Sequence, residues 1–117
     1  MVSAMKMKCS TSDCPVDFAL GMFGGKWKGS ILYLLLNGTM RFNELKRMLF
    51  DVTQRMLTRQ LRELEQSGLV HRHVYAQVPP KVEYSLTEAG ESLRPLLMDL
   101  AVWGRKHTPA SEIPPAG

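Results

Sequence analysis

Residues 53–68 read TQRMLTRQLRELEQSG, and this stretch decides the fold. Thr53 is a favourable helix N-cap, and Gly68 tolerates the left-handed conformation that closes a last turn. Between them Leu57, Leu61 and Leu64 recur at i, i+4 and i+7, the spacing of one buried helical stripe. At about 100° per residue, Arg55, Arg59, Arg62 and Gln66 collect on the opposite side, with Thr58 at its flank. Glu63 and Glu65 come late and are expected to point elsewhere, so the first two turns present Thr53, Gln54, Arg55, Thr58 and Arg59. One side of this helix is core and the other is cationic.

Working outward, residues 42–49 carry Phe42, Leu45 and Leu49 at amphipathic spacing and predict a short helix, with a brief strand at 39–41 before it. Residues 27–36 are apolar on most faces and predict a central core helix ending at Asn37-Gly38. Pro15 suits a first helical position, so Asp13 or Cys14 should cap a helix from 15 to about 23, stopped by Gly24-Gly25. On the other side, residues 69–76 and 81–86 alternate around Gln77-Val78-Pro79-Pro80 and predict a two-stranded hairpin with its prolines in the tip. Thr87 should cap a last helix over 88–106, kinked or weakened early by Pro95. The order is helix, helix, short strand, helix, helix, hairpin, long helix. That predicts a mainly α fold with a small β-hairpin, a winged helix-turn-helix with extra N- and C-terminal dimerisation helices. Residues 13–107 should form this unit, with 1–12 and 108–117 flexible.

Composition narrows the partners. The 117 residues carry 15 Lys plus Arg against 11 Asp plus Glu, a net charge of +4 with pI near 9.3, which favours an anionic partner. The longest apolar run, residues 31–36, falls far short of the roughly 18 residues a membrane span needs, so the expected location is the cytosol, with no membrane partner. Cys9 and Cys14 are too few and too close to staple the fold, so their interest is thiol chemistry.

The cationic residues suit double-stranded DNA. Arg offers a planar fork matching guanine O6 and N7, Gln does the same for adenine, and Thr can bond a phosphate or touch a thymine methyl. Helix N-termini attract phosphate, which adds Asn43 with neighbouring Arg41, and Thr53 with Gln54. Lys81 at the wing tip should reach the adjacent minor groove or its phosphates. His71 and His73 share a strand face, but no third metal ligand is evident. Gly24-Gly25-Lys26 lacks the spacing of a phosphate loop, and no nucleophile has an identifiable base, so neither cofactor, metal nor enzymatic activity is expected. The rival reading is a winged-helix protein-interaction module without sequence-specific DNA binding.

The terminal helices suggest a second copy. Leu93, Leu96, Leu97 and Leu100 form one stripe, with Met98 and Val102 on roughly the opposite face. The first helix is apolar nearly all round, with Val16, Phe18, Leu20, Met22 and Phe23. Cys14, at a helix start, feels the positive end of the backbone dipole, which favours thiolate and hence oxidation; the alternative is a small buried residue filling the entry to the helix.

Three motifs occur in order: Gly24-Gly25-Lys26-Trp27, then Arg55-Met56-Leu57-Thr58 with Leu61-Glu63-Leu64-Glu65, then Val78-Pro79-Pro80-Lys81-Val82-Glu83-Tyr84. With them, residues 14–107 resemble the HxlR-type winged-helix transcriptional regulators, relatives of the MarR group. The resemblance implies a homodimer joined through its first and last helices, binding a near-palindromic operator and often repressing. It also implies an oxidant or small-molecule effector for some members, through a cysteine at the position of Cys14. Members that form an intersubunit disulfide use a second, distant cysteine, and this sequence has none after Cys14.

Overall fold

The computed structural model describes residues 14–109. Its elements are α1 (Pro15–Phe23), α2 (Lys28–Leu35), β1 (Met40–Arg41), α3 (Phe42–Met48), α4 (Gln54–Gln66), β2 (Val70–Tyr75), β3 (Lys81–Leu86), α5 (Glu88–Glu91) and α6 (Arg94–His107). The expectations for residues 1–12, for Asp13 and for the tail from 110 onward lie outside the described residues.

Pro15 opens α1, with Cys14 as its extended N-cap. Gly25, at φ +92°, turns the chain into α2, whose Ile31, Leu32 and Leu35 are essentially inaccessible. Around these three the core gathers Leu45 and Leu49 from α3 and its end, Leu57, Leu61 and Leu64 from α4, Val70 and Tyr84 from the sheet, and Leu97 from α6. The fold is a winged helix-turn-helix: α3 and α4 are the tandem helices, and β2 and β3 form the wing.

The sheet has three strands rather than two. Met40 and Arg41 pair antiparallel with Tyr84 and Glu83, giving the order β1-β3-β2. The brief strand expected at 39–41 is thus present, but two residues are too few to show a period that would name its partner. Within that hairpin the register runs from Val70 opposite Leu86 to Tyr75 opposite Lys81, leaving both prolines in the tip.

The expected last helix is broken. Thr87 Oγ1 accepts the Gly90 N–H and starts α5, which ends after four residues, and α6 begins anew with Pro95 in its first turn. Proline has no N–H for the carbonyl four residues back, so the ladder stops there. Gly90 itself lies so close to the Leu69 carbonyl that a Cβ would stand 2.2 Å from that oxygen. The apolar stripe expected on this segment is also only partly used: Leu97 is buried and Leu93 is partly covered, whereas Leu96 and Leu100 are exposed like Met98 and Val102.

Candidate nucleic-acid interface

The site is organised by how α4 is held. Asp51, at φ +74°, turns the chain between α3 and α4, Val52 is buried behind it, and the Thr53 hydroxyl accepts the Met56 N–H at 3.1 Å. Burial of Leu57, Leu61 and Leu64, each stabilising by roughly 1.5–3 kcal/mol, fixes the rotation of the helix about its axis. The opposite face is therefore turned outward. Gln54, Arg55, Thr58, Arg59 and Arg62 line an open cleft of about 560 Å³ along it. Thr58 has its hydroxyl committed, donating to the Gln54 carbonyl at 2.8 Å.

The surface continues from helix to sheet. Thr58 and Arg62 also line a cleft of about 300 Å³ with Glu65, Arg72 and Tyr84. Arg72 was not singled out from the sequence. Its signal is parity: it shares a strand face with Val70 and Val74, the face that packs on the core, and so lies beside α4.

A separate cleft of about 280 Å³ joins Arg41, Phe42 and Asn43 at the start of α3 to Gln77, Pro79, Pro80, Lys81 and Val82 of the wing. It unites Arg41, Asn43 and Lys81, and shares no lining residue with the α4 clefts. Lys81 folds back on the sheet, 3.5 Å from the Glu83 carboxylate and 4.7 Å from the centre of the Tyr75 ring. The Tyr75 hydroxyl donates to Glu83 at 2.9 Å. That bond, helped by the Lys81 charge, holds the Glu83 carboxyl below its ordinary range, and the same bond to Glu83 pushes the Tyr75 phenol above its own.

The acids of α4 do not point elsewhere. Glu63 Oε2 accepts from Arg59 Nε at 3.2 Å, and Glu65 lines the cleft with Arg62. A step of four residues turns only about 40° around a helix, which is why Glu63 arrives beside Arg59. The Lys28 ammonium lies 2.8 Å from the other Glu63 oxygen, and Lys28 first, then Arg59, keep this carboxyl below its ordinary range.

Away from this surface, Val16, Phe18 and Leu20 on α1 and Met98, Val102 and Trp103 on α6 are exposed. Met22 is half-buried against the core, and Phe23, expected on a dimer face, is part of the chain's own core instead. Cys14 is 1% exposed and disulfide-bonded. The Cys9 expectation lies outside the described residues. The His71 and His73 rings are 6.1 Å apart, with His73 edge-on to Tyr75. Among the described residues no three His, Cys, Asp or Glu side chains group as metal ligands, and no helix is long and apolar enough to cross a membrane.

In sequence and fold the chain is similar to known proteins. The profile of the HxlR-like helix-turn-helix family matches residues 22–112. The uncharacterized HTH-type transcriptional regulator YybR of Bacillus subtilis is 56% identical over 94 residues, covering 80% of this chain and 75% of that protein. A solved structure of the redox regulator HypR in its oxidized form superposes with a TM-score of 0.79 at 55% identity, covering 83% of this chain and all of the other. The reduced form of the transcriptional regulator YodB from B. subtilis gives 0.70 at 34% identity, covering 81% and 94%.

Proposed function

The chain belongs to the HxlR-like helix-turn-helix family of transcriptional regulators, and from that premise we propose that it is a cytosolic repressor that binds a near-palindromic double-stranded operator as a homodimer. The observation that carries this reading is the outward, arginine-lined face of α4, anchored by three buried leucines and continued by Arg72 on the sheet. Arg55 and Arg59, near the start of the helix, are the base readers, joined by Gln54; Arg62, Arg72, Arg41, Asn43 and Lys81 hold the backbone. The apolar residues exposed on α1 and α6 support a second copy, which sets two α4 helices about 34 Å apart, one duplex turn. The test is selection of bound fragments from the flanking genomic DNA, followed by sedimentation of the free protein. Enrichment of one inverted repeat and a dimer at micromolar concentration are expected; no enrichment, or a monomer, would refute the respective part.

A redox response is the second element of the proposal. Its support is Cys14, a buried, disulfide-bonded N-cap of α1, together with the resemblance to HypR and YodB. Oxidation state at Cys14 shifts α1, and with it the spacing of the half-site readers. Operator affinity should differ between dithiothreitol- and diamide-treated protein and become insensitive in Cys14→Ser. Equal affinities for the wild type, or an equal diamide effect in the variant, would remove this element.

A further inference from the structure

Arg59 is not a free side chain on an open face. Its Nε donates to Glu63 Oε2 at 3.2 Å, while Glu63 Oε1 is 2.8 Å from the Lys28 ammonium. The side chains are 76%, 37% and 14% exposed for Arg59, Glu63 and Lys28, so the chain of contacts runs from the body of the fold out to the tip of the cationic face.

We propose that Glu63 is a positioning residue that holds the Arg59 guanidinium by its side edge so that the outer edge is presented to a guanine, with Lys28 fixing Glu63 in turn. This deepens the assignment of α4 as the DNA-reading helix and rests on it.

Guanidinium carries five N–H donors in a rigid plane, and the Nε bond uses one of them. The two terminal nitrogens keep their parallel outer N–H pair, the pair that matches guanine O6 and N7. Restraining an otherwise flexible side chain before binding removes ordering that would oppose association. Lys28 has a second effect: it adds positive charge beside the Glu63 carboxylate, which reduces that carboxylate's repulsion of the DNA phosphates.

Helix stability does not account for the pair. In isolated helices the favourable order places the acid four residues before the base, aligned with the helix dipole, and Arg59–Glu63 runs the other way. An exposed pair of this order adds little to folding.

The experiment uses full-length protein and a library of duplexes with a randomised centre. Wild type, Arg59→Ala, Glu63→Gln and Lys28→Met are each taken through selection, and the enriched wild-type duplex is then titrated with every variant. Arg59→Ala is expected to lose guanine preference at one position per half-site. Glu63→Gln should weaken the preference at that same position by about fivefold or more, with salt slope unchanged, and Lys28→Met should do so to a smaller degree. In the free protein, the Arg59 Nε proton should be a slowly exchanging resonance in wild type and Lys28→Met and be lost in Glu63→Gln. Retained guanine preference in Glu63→Gln, or an Arg59→Ala variant that loses no position, would overturn the proposal while leaving α4 as the reader. If wild type enriches no sequence, sequence-specific DNA binding falls, and this positioning role with it.

Discussion

Arg62 on α4 and Arg72 on β2 line the same cleft, so the recognition helix and the wing sheet present one continuous cationic surface. Two arginines on different elements, with Tyr84 of β3 paired to Arg72, form a seat whose width is set by the buried packing of α4 on the sheet.

Arg72→Ala is therefore expected to weaken binding to operator and random duplexes alike, and to reduce the slope of log affinity against log salt by about 1. Fluorescence anisotropy titrations at several salt concentrations check this. A loss confined to the operator would make Arg72 a base reader instead.

The Thr53 cap orders the first turn of α4, which carries Gln54 and Arg55. Thr53→Ala should lower unfolding free energy by about 0.5–2 kcal/mol, measured by urea denaturation, while Thr53→Ser retains most of it. A Ser variant as weak as Ala would show that the hydroxyl bond is not the cause.

Gly90→Ala should lower the melting temperature clearly, because its Cβ meets a backbone oxygen rather than the end of a movable side chain. The neighbouring Ala89, which is exposed, serves as control: Ala89→Ser should leave the melting temperature nearly unchanged.

Acid should unmask the carboxylates. Glu63 and Glu83 both lie below the ordinary 4.5 in the folded chain, so their contribution is complete above that value and is lost as pH falls through the lower folded values. Thermal melts between pH 6 and 3 should show Glu63→Gln losing less stability on acidification than wild type. On the alkaline side Tyr75, raised above 10.0, contributes stability that declines as pH rises past that value.

Much of this architecture was legible in the sequence because its signals are local. Thr53, Gly68 and three leucines at helical spacing define α4, and Pro15 and Gly25 bound α1. What escaped depends on pairing across the chain. The short strand at 39–41 was expected, but its pairing with β3 was not; Arg72 joins the site only through strand register; Pro95 alone could not tell a kink from a break. Glu63 differs: its i,i+4 spacing from Arg59 is written in the sequence, but a helical wheel alone does not say that the two side chains meet. Because α1 is apolar all round, its sequence does not separate Phe23 from the residues expected on a dimer face, and only packing against the core turns it inward.

The most direct test of the α4 assignment is affinity for the selected operator duplex and for a scrambled duplex, measured across salt concentrations with wild type and Arg55→Ala/Arg59→Ala. Operator binding about 10³-fold or more tighter than scrambled, a steep fall with salt for both, and collapse of the ratio in the double variant are expected. A ratio near one in wild type, or a ratio untouched by losing both arginines, would contradict it.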